Sequence, residues 1–225
     1  MPTSDPTHSV DVTLELDDAQ LPGDLAVPDQ PLGLVIFAHG SGSSRHSPRN
    51  RHVAESLNRS CLATLLFDLL TPEEDELDRQ TRAVRFDVAL LGRRLAEVVD
   101  RCTERDDVGA LPVGLFGAST GAAAALIAAA ARPDRVRAVV SRGGRPDLAG
   151  EALPEVSAPT LLFVGGLDRE VIEMNRSAAE QMSCAHEVNI VPGASHLFEE
   201  PGKLDEVAEL AGAFFSDAFA RQDAA

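Results

Sequence analysis

From Gly33 onward, short runs of aliphatic and β-branched residues alternate with stretches whose apolar positions recur at helical spacing. That alternation predicts βαβ units and a mostly parallel sheet with helices on both faces, an α/β class. Ahead of it, residues 10–16 alternate apolar with polar, as a half-exposed strand does. The turn-forming Leu21-Pro22-Gly23-Asp24 then leads to a second apolar run at 25–27, so an antiparallel hairpin is expected at one sheet edge. Residues 34–38 are continuously apolar, the mark of a strand covered on both faces, and stop at the loop chemistry of His39-Gly40-Ser41-Gly42-Ser43-Ser44. A helix is expected over Pro48–Arg59, a strand over Leu62–Phe67, and one long helix over 81–103 whose Val84, Val88, Leu91, Leu95 and Val98 share a face. Further strands are expected at 112–116, 136–140, 160–164 and His186–Val191, with helices at 122–131, 169–181 and 204–219. No internal repeat or low-complexity linker appears, and 221–225 are expected to fray.

The 225 residues suffice for one sizeable core and suggest a single domain spanning 1–225, with its core at about 10–219. No run approaches the ~20 apolar residues of a membrane span, and Met1-Pro2-Thr3-Ser4-Asp5 has neither the basic region nor the apolar run of a signal peptide. A cytoplasmic protein is expected. Cys61, Cys102 and Cys184 are widely spaced, without a CxxC pair or clustered histidines, so no metal site is expected. The net charge of -16 argues against nucleic acid and anionic membranes as partners, because both bind through cationic side chains.

The chemistry gathers where strands end. The strand at 112–116 runs into Gly117-Ala118-Ser119-Thr120-Gly121 and then a helix, which forces the serine into a strained turn facing the positive end of that helix. A serine needs a base, and the base needs a group to fix its tautomer. In this topology they follow in the order serine, acid, histidine. Asp168 stands just past the strand at 160–164, and His196 past the strand at His186–Val191. Of six histidines, His8 falls in an expected flexible start, His46 and His52 flank a helix start, and His186 opens a strand. Only His39 and His196 sit at strand ends, and His39 is better placed to brace the loop that follows it. Asp147 and Glu170 are the alternatives to Asp168. The developing oxyanion would meet the backbone N–H of Thr120 and that of Ser41, with Gly42 as the substitute for Ser41.

His39-Gly40-Ser41-Gly42, Gly117-Ala118-Ser119-Thr120-Gly121, Gly166-Leu167-Asp168 and Gly193-Ala194-Ser195-His196 together resemble the α/β-hydrolase superfamily, and within it the small dienelactone hydrolase-like members, over roughly residues 34–219. The resemblance implies hydrolysis of an ester or related acyl bond through an acyl-serine, without metal or organic cofactor. Dienelactone hydrolases carry cysteine where this chain has Ser119, so the wider carboxylesterase reading is the one implied. The stretch 141–159 is too short for a helical lid, so an open pocket bounded only by loops is expected, suited to a small acyl substrate. Arginine-bearing loops at 44–50 and 141–146 offer Arg49, Arg142 and Arg145, with Gly42, as candidate contacts to a carboxylate or phosphate on it, unless they pair with Asp147 or the acids at 73–76. A thioesterase or small peptidase with the same groups, or a silent ligand-binding protein, are the other readings.

Overall fold

In a computed structural model of the chain, which describes residues 7–221, the expected hairpin forms from β1 (His8–Glu15) and β2 (Gln20–Val27), both longer than the alternation alone suggested. His8 opens β1 instead of lying in a flexible start. Strand β2 pairs antiparallel with β4 (Leu62–Phe67). The strands from β3 (Gly33–Ala38) onward are mutually parallel: β3 lies between β4 and β5 (Val113–Ala118), and β6 (Val136–Arg142), β7 (Thr160–Gly165) and β8 (His186–Val191) follow outward. The eight-stranded order is β1-β2-β4-β3-β5-β6-β7-β8. Because β3 and β5 to β8 point the same way, the loops after them open on one edge of the sheet.

Helices cover both faces, as expected. On one, α1 (Pro48–Arg59) and α6 (Lys203–Ala220) pack Val53, Leu57, Ala211 and Phe215 onto Val35, Phe37 and Phe116 of the central strands. The other face carries α3 (Val88–Thr103), α4 (Thr120–Ala131), a 3₁₀ segment at Pro146–Glu155 and α5 (Arg169–Ala179). Helix α4 is buried almost all round, and alanine is what lets α3 and the sheet approach it together. Among the described residues no helix is long and apolar enough to cross a membrane. Cys102 is buried, Cys184 half-buried and Cys61 exposed, none in a disulfide. Arg221 caps α6, and 222–225, the rest of the segment expected to fray, lie outside the described residues.

The helix expected over 81–103 forms only from Val88, and a separate, unexpected helix precedes it. Helix α2 (Pro72–Thr81) ends where Arg82 turns left-handed at φ 57°, and α3 begins only at Val88. The cause is Asp78, 1 % exposed, whose carboxylate accepts from the backbone N–H groups of Val84 (2.9 Å) and Arg85 (2.8 Å) and from Arg85 Nε (2.5 Å). Asp87 then starts α3 afresh by accepting from Leu90 N–H. Val84 fits the apolar periodicity because it packs on the same core without being helical.

Two polar clamps fix the segment between β4 and α3. Arg94 of α3, 2 % exposed, donates to both carboxylate oxygens of Glu74 on α2 (2.6 and 2.8 Å), to Asp18 in the β1–β2 turn (3.2 Å) and to Leu69 O (3.1 Å). His39, just past β3, accepts the Leu69 N–H at Nε2 (3.0 Å), so its proton sits on Nδ1 and is donated to Gly40 O (2.9 Å). The histidine braces its loop, as its position suggested.

Replacing Arg94 by Met leaves Glu74 without its cation and Asp18 with Arg93 alone, and should lower unfolding stability by about 3 kcal/mol, read from the urea midpoint at neutral pH. His39 gives a pH signature. Burial holds its pKa below the ordinary histidine value, so below about 6.5 the unfolded chain binds the proton that the fold refuses. Stability should therefore fall as pH drops from about 7.5 to about 5, and His39→Gln should flatten that slope; equal slopes would discount the brace. The carboxyls of Asp18, Glu74 and Asp78, held low chiefly by hydrogen bonds from arginines and backbone N–H groups against their own burial, add a second loss only as pH falls through about 4.

Candidate active site

Strand β5 becomes α4 with Ser119 alone between them. Its φ of 52° and ψ of -123° are strained for a residue with a side chain. The turn is locked from β6: Ser119 N–H donates to Arg142 O (3.3 Å), and Ser119 O accepts from Arg145 N–H (3.0 Å) as well as from Ala122 N–H (3.1 Å). Small neighbours are obligatory. A Cβ on Gly117 would come 2.4 Å from Ala122 Cα, and one on Gly121 would come 2.2 Å from Ala38 O. This is the close approach that the flanking glycines of the pentapeptide imply. Ser119 thus stands at the N-terminus of a buried helix, where unpaired N–H groups and the helix dipole favour negative charge.

The acid and the histidine are brought together by two loops that bond to each other. Leu167 N–H donates to Ala194 O (3.0 Å) and Gly166 N–H to Val191 O (2.9 Å). The side chains then meet directly, with His196 Nδ1 2.7 Å from Asp168 Oδ2. A carboxylate at Nδ1 holds the proton there and leaves the Nε2 lone pair free to accept one. Asp168 is therefore the partner; Asp147 pairs instead with Arg145 (2.7 and 2.9 Å), and no contact joins Glu170 to His196.

The histidine loop is itself pinned. Ser195 N–H donates to Glu200 Oε2 (3.0 Å), Phe198 N–H donates to Ser195 O (3.2 Å), and Phe198 accepts φ 58° to bury its ring in the α1–α6 core. His196 rests on the end of β6: a Cβ on Gly143 would lie 2.9 Å from His196 O and 3.7 Å from its Cε1. Since Arg142, the residue before Gly143, bonds Ser119, the serine and the histidine flank the same strand end. No hydrogen bond joins Ser119 Oγ to His196, which is common for such pairs before a ligand aligns them.

Opposite the histidine, the loop after β3 faces the serine. A Cβ on Gly40 would sit 3.7 Å from Ser119 Oγ. The backbone N–H groups of Ser41, Gly42 and Thr120 donate to no protein acceptor among the described residues, so all three remain available as donors. A cavity of about 430 Å³ opens beside them, lined by Ser41, Gly42, Leu70, Asp75, Arg85 and Thr120 among others. Its wall is not made of loops alone, as the chain pattern suggested: α2 supplies Asp75 and Arg79, and Arg85 reaches Gly42 from the segment folded back by Asp78. The signal available for this wall was the capping box of α2, in which Thr71 and Glu74 bond each other's backbone N–H.

The candidate arginines separate. Arg145 is held by Asp147, Arg49 reaches Glu199 (3.1 Å), and Arg142 meets no carboxylate among the described residues. None of the three lines the cavity. The acids of α2 pair elsewhere, Glu74 with Arg94 and Glu76 with Arg79. Among the described residues, no group of three or more His, Cys, Asp or Glu is arranged to hold a metal ion.

The fold and sequence can be placed among known proteins. A dienelactone hydrolase from Anabaena variabilis is 56 % identical, with a TM-score of 0.91 over 93 % of this chain and 97 % of that one. Est1E from Butyrivibrio proteoclasticus shares the fold at 18 % identity, with a TM-score of 0.76 over 93 % of this chain and 99 % of that one. A Mycobacterium tuberculosis protein, provisionally named a phosphoribosyl transferase in two strains, is 54 % identical over 212 residues, covering 94 % of this chain and 47 % of its own length. The chain thus spans about half the length of these curated relatives. The sequence model of the Dienelactone hydrolase family matches residues 21–220, and with an eight-stranded α/β-hydrolase architecture around the Ser119 turn, the chain belongs to the dienelactone hydrolase family.

Proposed function

We propose that this hydrolase cleaves a small ester or lactone through an acyl-serine, with Ser119 as nucleophile, His196 as base and Asp168 as the carboxylate that orients the histidine. The observation that carries the reading is the 2.7 Å contact of Asp168 with His196 Nδ1, made on the strand end that also locks the strained Ser119 turn. His196 Nε2 takes the Ser119 proton as Oγ attacks the carbonyl, and the imidazolium formed is stabilised by ionised Asp168. Negative charge on the carbonyl oxygen is met by the N–H of Thr120 and by that of Ser41 or Gly42, at the positive end of α4. His196 then returns the proton to the leaving oxygen, and water, activated by the same nitrogen, releases the acid and regenerates Ser119.

The cavity beside the serine is lined by Gly40, Ser41, Gly42 and Thr120 and not by Ser119 or His196 themselves, so in this reading it would receive one end of the substrate. About 430 Å³ is at the small end of ligand pockets, which suits a compact acyl group. Its charges are mixed, with Arg45, Arg79 and Arg85 beside Asp68 and Asp75, so it does not select an anion by field alone. The reading places the enzyme in the cytoplasm, where three free cysteines are at home. The transferase name of the Mycobacterium tuberculosis relatives belongs to proteins about twice this chain's length, and the hydrolase reading attaches to the shared half.

A fluorophosphonate probe should add one mass adduct to the wild-type protein and none to Ser119→Ala. Turnover of an aryl acetate should fall by about 10⁴-fold or more in Ser119→Ala with the fold intact. Asp168→Asn should lose about 10³- to 10⁴-fold in kcat while still taking the label slowly. An unlabelled wild type would favour a silent ligand-binding protein, and labelling without ester turnover would favour a thioester or peptide bond.

A further inference from the structure

Arg142 is one of two buried arginines among the described residues, and its surroundings differ from those of the other. Arg94 is enclosed by Glu74 and Asp18. Arg142, 7 % exposed at the end of β6, meets no carboxylate. Its Nη2 donates to the neutral Asn50 Oδ1 (3.1 Å), its Cζ lies 5.9 Å from the centroid of the Phe116 ring, and its Nη1 is buried with no acceptor. Arg49 adds a second guanidinium beside it, with a buried Nε that also lacks an acceptor. Burial, reinforced by Arg49, pushes the Arg142 pKa down to about 10.

Both cations sit at the wrong end of a helix. Asn50 and Arg49 belong to the first turn of α1, where the dipole is positive and an acid would be expected, yet that turn has none. A buried guanidinium, a second one next to it and a helix N-terminus, in a chain of net charge -16, make a destabilising concentration of positive charge. Arg49 Nη1 reaches out to Glu199, a pair exposed by 36 % and 63 % and correspondingly weak. Glu199 follows His196 by three residues, and Arg142 O holds the Ser119 N–H, so the cluster touches both sides of the site without lining its cavity.

We propose that Arg142 and Arg49, with the Arg49 N–H at the start of α1, where Ser47 already takes the Asn50 and Arg51 N–H groups, form a binding site for a small oxyanion, a carboxylate or phosphate, which enters by displacing Glu199 from Arg49. The planar forks of two guanidiniums at a helix N-terminus suit such a group, and Arg142 Nη1 is the donor left for it. The oxyanion is either carried by the substrate or free in solution.

Thermal unfolding with inorganic phosphate or acetate, exchanged for chloride at constant ionic strength and pH, tests the site directly. The wild type should show a saturable rise of a few degrees. Arg142→Met should abolish it, Arg49→Gln should weaken it, and Glu199→Gln should lower the half-saturating concentration by removing the competitor. No saturable rise, or the same rise in every variant, overturns the site; should Arg142→Met fail to fold, the opposite shifts of Arg49→Gln and Glu199→Gln decide. The source of the anion is read in kinetics, an arm that rests on the serine hydrolase reading, whereas the thermal arm does not. Phosphate competing with an aryl hemisuccinate but not with an aryl acetate marks a group on the substrate. Phosphate changing kcat on both esters without competing marks a free oxyanion acting through the His196 loop.

Discussion

The turn at Ser119 is the constraint on which the other features depend. A residue with a side chain is held at positive φ between a strand and a helix that nearly touch, and such a conformation persists only where its surroundings over-determine it. Here they do so through backbone bonds to Arg142 and Arg145 on one side, and through the contact of Gly121 with Ala38 on the other. The parallel pairing of β3, β5 and β6 is therefore a condition of the site as well as of the core. Once β5 and β6 are in register, the serine, the oxyanion-side loop and the shelf for His196 are placed together.

The histidine side is built on a different principle. Its geometry comes from loops stitched to one another, with Leu167 bonded to Ala194, Ser195 bonded to Glu200, and the Phe198 ring driven into the core at the expense of a strained backbone. A rigid Ser119 turn therefore faces a histidine held by several modest bonds. Asp168 fixes which nitrogen of the His196 ring is free, and the N-terminus of the buried α4 faces the same side-chain gap.

Much of this was legible along the chain because burial writes itself into composition. Residues 34–38, Leu62–Phe67 and 160–164 are apolar enough to be read as strands, and the order of Ser119, Asp168 and His196 follows the strand ends. The break between α2 and α3 was hidden because Val84 continues the periodicity of the α3 face, and because the left-handed residue that ends α2 is an arginine, not a glycine. Helix α2 itself is almost wholly polar and offers no periodic face, so only its capping box announces it. Arg85 escaped notice for a further reason: its meeting with Gly42 joins loops far apart in sequence, and only the Asp78 clamp brings them together.

The alanines of α4 and the charges of α2 divide the molecule into parts with different freedom to change. Helix α4 is enclosed on nearly every side, so almost any larger residue there collides with the sheet or with α3, and the nucleophile's support cannot drift far. Helix α2 hangs from α3 by Arg94 and closes on itself through Asp78, while most of its surface faces water. Its outer positions can vary without disturbing either anchor. A lineage using this scaffold could thus exchange one substrate for another by rewriting a single cavity wall, leaving the chemistry of bond cleavage inherited intact.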